Sequence, residues 1–75
     1  MQRFSYVNSM GYNKVLCIYP ERKNEKGEYY FEIWSEQNNT METTGVFCGS
    51  GYKSKEKIKE FFTHFNINCN VDDIE

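Results

Sequence analysis

The sequence contains no hydrophobic run long enough to cross a membrane and no leader pattern at its N-terminus. Its longest unbroken apolar stretch, residues 15–19, falls far short of the roughly 20 residues of a transmembrane helix. A secretory leader would place an apolar segment behind basic residues, and no such segment is present. The three cysteines, Cys17, Cys48 and Cys69, are an odd number at wide, irregular spacings, unlike a disulfide framework. These absences predict a cytoplasmic protein, within a bacterial host if a phage encodes it.

Alanine is absent and leucine occurs only at Leu16, so six tyrosines and six phenylalanines supply much of the apolar volume. This bias is typical of AT-rich genomes and favours a phage or another mobile element as the source. With 39% hydrophobic residues and a net charge of −2, the chain is far from a disordered composition. The 75 residues have room for a single domain, residues 1–75, of marginal stability. A homodimer would be one way to raise that stability.

Alternating apolar and polar residues predict an antiparallel meander of four strands. The predicted strands are residues 2–8, 14–19, 28–36 and 40–48. The segments between them are rich in Asn, Gly and charged residues, which is typical of turns and loops. Pro20 suits the end of a strand because it has no N–H to donate, and Gly45 suggests a β-bulge.

The strongest pattern lies in residues 54–66, where Ile58, Phe61, Phe62 and Phe65 recur at i, i+3, i+4 and i+7. Ser54 suits the N-cap of that helix. Because the helix lacks Ala and Leu, its stability should depend on packing against the sheet. The predicted fold class is α+β: about four antiparallel strands followed by one C-terminal amphipathic helix packed on one face. The alternation in residues 67–71 allows a short fifth strand, and residues 72–75 are expected to fray.

One helix can cover only one face of the sheet. If Phe31 and Ile33 contact the helix, then Tyr30, Glu32 and Trp34 lie on the opposite face, because successive strand residues point to opposite sides. Clustered exposed aromatic side chains are typical of interfaces. The alternatives are an inverted assignment of the faces, or a terminal segment that covers them. We predict Tyr30, Glu32 and Trp34 as partner-binding residues.

Four lysines crowd the first turns of the predicted helix: Lys53, Lys55, Lys57 and Lys59. The helix dipole disfavours cations there. The cluster is either a solvated surface offset by Glu56 and Glu60, or a contact site for an anion or a nucleic acid. The preceding Gly49-Ser50-Gly51 lacks the spacing of a phosphate-binding loop and is typical of a flexible connection.

Three strands followed by Gly-Tyr-Lys-Ser-Lys-Glu and an amphipathic helix resemble the arm-type DNA-binding domain of phage integrases, over residues 51–61 by sequence and elsewhere by element order. The resemblance implies a nucleic-acid-binding domain that uses the sheet and the lysine-rich helix start. The sheet of that family is basic. The predicted sheet here carries four acidic residues, Glu28, Glu32, Glu36 and Glu42, and such a charge balance disfavours nucleic acid as the partner.

Catalytic and metal sites find little support in the sequence. The three cysteines and His64 form the one four-ligand set for zinc, but they lack the close ligand pair of structural zinc sites. We expect the cysteines to be small buried apolar groups and His64 to be a surface residue near the helix C-terminus. A Cys48–His64 nucleophilic pair would join a strand end to a residue late in the helix. The sequence therefore predicts no enzyme, no metal and no cofactor, but a small interaction module that binds and inhibits or modulates a larger protein.

Overall fold

The computed structural model describes residues 1–74 and confirms the predicted α+β fold, with four antiparallel strands followed by one C-terminal helix. The strands are β1 (Gln2–Val7), β2 (Asn13–Tyr19), β3 (Tyr30–Ser35) and β4 (Thr40–Val46), and the helix α1 is Tyr52–His64. Short 3₁₀ turns cover Pro20–Arg22 and Val71–Asp73. Within the described chain, no helix is long and apolar enough to span a membrane.

The four strands form one sheet in the order β1-β2-β3-β4, so each strand pairs with its neighbour in sequence. Leu16 of β2 lies opposite Phe4 of β1 and Ile33 of β3. The register between β3 and β4 shifts once, because Ile33 pairs with Thr43 while Trp34 pairs with Met41. The bulge predicted at Gly45 is therefore displaced to Glu42, the unpaired residue between these two pairs.

The hydrophobic core lies between the sheet and α1. Leu16, Ile18 and Ile58 are fully buried, and the helical stripe meets the sheet through aromatic contacts. The ring centroid of Phe62 lies 4.9 Å from that of Phe4 in β1, and Phe61 lies 5.4 Å from Tyr6. The apolar stripe of the poorly helix-forming segment thus packs against the sheet, and the dependence of the helix on this packing stays a prediction.

Ser54 is not the N-cap of α1, which begins two residues earlier and is preceded by Gly51 without a side-chain cap. Ser54 is instead buried, and its hydroxyl donates to the carbonyl of Phe47 at 2.7 Å and accepts from the N–H of Tyr29 at 3.1 Å. Ser54 thus links the start of β3 to the end of β4, at the point where these two strands separate.

Up to residue 74, the C-terminal segment does not form the short fifth strand expected for it. Residues 67–70 form no strand within the described part of the chain, and Val71–Asp73 turn back in a 3₁₀ turn capped by the Asn70 side chain. Ile74, in the stretch expected to fray, is 1% exposed and belongs to the core. Burial of this apolar side chain holds the tail in place. Glu75 lies outside the described residues.

Candidate protein-binding face

The face of the sheet opposite α1, called the open face here, carries the predicted contact residues. Phe31 and Ile33 pack against the core, and Tyr30, Glu32 and Trp34 project from the other side of β3. No helix lies over this face among residues 1–74. The structure therefore brings the three predicted residues together in one row along β3.

Glu32 is the centre of this row, because its carboxylate accepts three hydrogen bonds from aromatic side chains. The Tyr19 hydroxyl donates to Oε1 at 2.7 Å, the Trp34 Nε1–H donates to Oε1 at 3.1 Å, and the Tyr30 hydroxyl donates to Oε2 at 3.0 Å. Tyr30 and Trp34 reach it because residues i and i+2 share a strand face. Tyr19 reaches it from β2, where it pairs with Tyr30. We call these four residues the aromatic platform.

The hydrogen bonds of the platform shift the ionisation of its members. The bond from Tyr19, followed by those from Trp34 and Tyr30, lowers the pKa of Glu32 despite partial burial. The same bond to the Glu32 carboxylate raises the pKa of Tyr19 to about 12. Both directions follow from one cause, since a hydroxyl that donates to a carboxylate stabilises the charged acid and the protonated phenol.

Arg22, in the 3₁₀ turn that follows Tyr19, lies against two rings of the aromatic platform. Its guanidinium carbon lies 4.1 Å from the ring centroid of Tyr30 and 5.3 Å from that of Tyr19. At these distances the guanidinium is attracted to the faces of the rings by a cation–π interaction. The stacked side chain offers a partner a fixed positive charge beside the aromatic surface.

Beneath the platform, β2 provides a buried apolar floor. Val15 and Cys17 are 4% and 5% exposed although no helix covers them, because side chains of the same face lie over them. Burial raises the pKa of the Cys17 thiol, opposed by Arg3 on the neighbouring strand. Beside Trp34, a shallow cavity of about 290 Å³ opens over this floor. It is large enough to admit a side chain from a partner.

The apolar character of the open face extends to its edges. Val7, Met41 and Val46 are 53%, 47% and 37% exposed. Met41 pairs with Trp34 and Val46 pairs with Tyr30 across β3 and β4. The platform residues themselves are half-buried rather than fully exposed, so these three residues provide the more exposed apolar surface of the open face.

Two of the four glutamates that made the predicted sheet acidic are absent from the open face. Glu28 lies in the loop before β3, where its carboxylate accepts from the Asn24 side chain and from Gly49 N–H, each at 2.8 Å. The bond from Asn24, followed by that from Gly49, lowers the pKa of Glu28. Glu42 pairs with Lys14 at 2.6 Å on the side of the sheet that faces α1. Glu32 is bonded within the platform, and Glu36 lines the cavity beside it.

The lysines of α1 do not form one patch and do not adjoin the platform. At 100° per residue, Lys53 and Lys57 lie on one flank of the helix while Lys55 and Lys59 lie on the other. Lys57 also makes an exposed ion pair with Glu60 at 3.6 Å. Because α1 and the open face are on opposite sides of the sheet, the structure does not join the two halves of the predicted nucleic-acid surface.

The cysteines differ from one another. Cys17 is buried as predicted, but Cys48 and Cys69 are exposed, which corrects the expectation that all three are core residues. Both lie in chain segments outside the strands and α1, where nothing packs over the thiol. Among residues 1–74, no three side chains of His, Cys, Asp or Glu come close enough to hold a metal ion. His64 is exposed, with its ring 4.7 Å from that of Phe65.

Sequence reasoning missed Tyr19 and Arg22. The i, i+2 spacing within β3 identified Tyr30, Glu32 and Trp34, but the position of Tyr19 depends on the register between β2 and β3. The long charged loop between these strands does not fix that register.

Comparison with protein-family models, with curated proteins and with solved structures gives no match to this chain.

Proposed function

We propose that this protein is a small non-enzymatic interaction module, which binds a larger protein through the open face and inhibits or modulates it. The observation that carries the proposal is the aromatic platform, in which Tyr19, Tyr30 and Trp34 are tied to one carboxylate. Tyr, Trp and Arg dominate the energetics of protein interfaces. Side chains that are already fixed lose little conformational entropy on binding.

The charges at the platform indicate what kind of surface it would contact. Arg22 stacks over Tyr30, Arg3 borders the cavity, and the central carboxylate is already satisfied by three donors. A partner that presents apolar side chains together with carboxylates complements this arrangement. We place this interaction in the cytoplasm, because all three cysteines are free thiols, as is usual in a reducing compartment.

Affinity purification tests the proposal with a matched pair of variants. The tagged wild type, Trp34→Ala and Tyr52→Ala would be incubated with lysate of candidate bacterial hosts, and bound proteins would be quantified by mass spectrometry. Tyr52 is a suitable control because it is an aromatic residue, 69% exposed, on α1. We expect a larger protein that Tyr52→Ala retains and that Trp34→Ala loses by about tenfold or more, as for an interface hot spot.

Two results would contradict the proposal. One is equal recovery of every protein by wild type and Trp34→Ala, provided that circular dichroism shows both to be folded. The other is binding to nucleic acid instead. In a fluorescence-polarisation titration with a labelled single-stranded oligonucleotide, phosphate-driven binding would weaken steeply between about 50 and 200 mM salt, and we expect no such salt-dependent binding.

A further inference from the structure

A second surface, distinct from the open face, lies between α1 and the edge strand β4. Thr43 and Gly45 of β4 lie opposite Ile33 and Phe31 on the side of the sheet that faces α1. Neither carries a side chain large enough to reach α1. A groove of about 630 Å³ opens beside them at the end of β4, lined by Val46 and Cys48 on the strand side and by Lys57, Glu60 and His64 on the helix side.

Four phenylalanine side chains line this groove: Phe31 of β3, Phe47 just after β4, Phe61 of α1 and Phe65 just after α1. Their ring centroids lie 4.6 Å apart for Phe31 and Phe47, and 4.7 Å apart for Phe61 and Phe65. The charges on the helix rim, Lys57 and Glu60, pair with each other at 3.6 Å. The groove thus offers apolar contact and little net charge to an occupant.

The outer edge of β4 presents backbone hydrogen-bonding groups beside the groove, of which the Val46 carbonyl accepts a weak bond from the Cys48 thiol at 3.9 Å. The Phe47 N–H donates to the carbonyl of Tyr29 at 2.9 Å, which directs the backbone of residue 47 toward β3. Because donors and acceptors alternate along an antiparallel strand, Gly45 and Thr43 also face β3, whereas the backbone groups of Thr44 and Val46 face outward. No strand pairs with this edge within residues 1–74.

We propose that an extended apolar segment of a partner protein binds here by joining the sheet as a strand beside β4. Its backbone would pair with the outward-facing groups of Thr44 and Val46. Every second side chain would enter the groove between β4 and α1, since strand side chains alternate between the two faces. Backbone pairing combined with alternate side-chain pockets is a recurring mode of peptide recognition.

The composition of β4 argues against a second copy of this chain as the occupant. In a two-fold pairing of β4 with β4, the side chains facing the groove would be those of Thr43, Gly45 and Phe47; the first two are too small to fill it, and Phe47 is already buried in the core of its own domain. In β1, the other edge strand, Phe4 and Tyr6 already pack into the core of their own domain. Bulky apolar side chains at alternate positions must therefore come from a different protein.

A peptide-display selection tests this proposal with the purified full chain. The probe is the best binder from a library of cysteine-free twelve-residue peptides, labelled with fluorescein. We expect selected peptides to carry bulky apolar residues at alternate positions. The variant Val46→Pro removes an outward-facing N–H, replaces the valine side chain and fixes φ at that residue, on an edge strand where proline is tolerated. It should weaken binding about tenfold. Val46→Ala, which keeps the N–H, is the matched control and should bind within about twofold of the wild type.

A second measurement needs no substitution. Cys48 lines the groove and is exposed, while Cys69 is an exposed thiol outside the groove lining. Bound peptide should slow alkylation of Cys48 and leave alkylation of Cys69 unchanged. Failure to select any peptide, equal protection of both thiols, or loss of peptide binding in Trp34→Ala but not in Val46→Pro would overturn the proposal. A dimer in light scattering that Val46→Pro dissociates would assign the edge to a second copy instead.

Discussion

At the scale of single residues, Glu32 links the chemistry of the open face to stability. Its carboxylate is the common acceptor of Tyr19, Tyr30 and Trp34. Hydrogen bonds to a charged group are about twice as strong as those between neutral groups. The carboxylate therefore keeps three aromatic side chains in one arrangement, and the cost of burying part of its charge is offset by the bonds it accepts.

The lowered pKa of Glu32 predicts a pH-dependent contribution to folding. Because the folded pKa lies below the unfolded value, this stabilisation is fully present above the unfolded pKa and is lost as the pH falls through the folded pKa. Glu32→Gln should lower the free energy of unfolding by about 1 kcal/mol at pH 7. The difference from wild type should shrink as the pH falls below about 4. Urea titrations of both forms at pH 7 and pH 3 measure this difference in the free energy of unfolding. A difference as large at pH 3 as at pH 7 would contradict the stabilising role of the Glu32 carboxylate.

Ser54 makes a second prediction at this scale. Its buried hydroxyl satisfies both the Phe47 carbonyl and the Tyr29 N–H, so Ser54→Ala deprives two backbone groups of a partner. We expect a loss of about 2 kcal/mol in the free energy of unfolding, measured by urea titration. Ser50→Ala, at an exposed position in the preceding loop, is the control and should remain within about 0.5 kcal/mol. Equal effects of the two variants would remove the bridging role of Ser54.

At the scale of elements, the C-terminal segment shows where periodicity misleads. Residues 66–71 alternate asparagine with apolar residues, which is the pattern of an edge strand. The segment instead packs Ile67 and Val71 against the core beside α1, with Ile74 within the core, while Cys69 between them is exposed. Alternation therefore specifies neither which of these apolar side chains are buried nor whether a strand or a helix buries them.

Ile74 should therefore contribute to stability although it is next to the last residue. Ile74→Ala is expected to lower the free energy of unfolding by about 2 kcal/mol, the lower end of the range for a buried isoleucine because a terminal segment can relax. Asp73→Ala, at an exposed position of the same turn, should change it by less than about 0.5 kcal/mol. A thermal melt in which both variants match wild type would mean that the tail does not pack.

The elements that sequence could predict are those with long, regular patterns. The alternation in β3 and the stripe from Ile58 to Phe65 established the sheet faces and the helix. The sequence could not predict details that depend on contacts between residues far apart in the chain. The sequence predicts Ser54 as an N-cap, and only its contact with Phe47 in the fold shows its bridging role. The groove by β4 follows from the pairing of Gly45 with Phe31.

At the scale of the whole molecule, the fold has two layers, a sheet and a helix. Two surfaces remain available, the open face of the sheet and the groove between β4 and α1. A single helix covers the sheet on one side, and α1 does not extend over β4. The open face and the groove by β4 are both left without a covering element among residues 1–74, and they lie on different sides of the sheet.

Site-specific photo-crosslinking in cells tests the central claim most directly. A benzophenone amino acid would be placed at Ser5, an exposed residue of the open face in line with Val15 and Trp34, and separately at Lys59, an exposed residue of α1. The account predicts an adduct with a larger protein from Ser5 and none from Lys59. Adducts from Lys59 alone, or an adduct from Ser5 with only twice the mass of the chain, would contradict it.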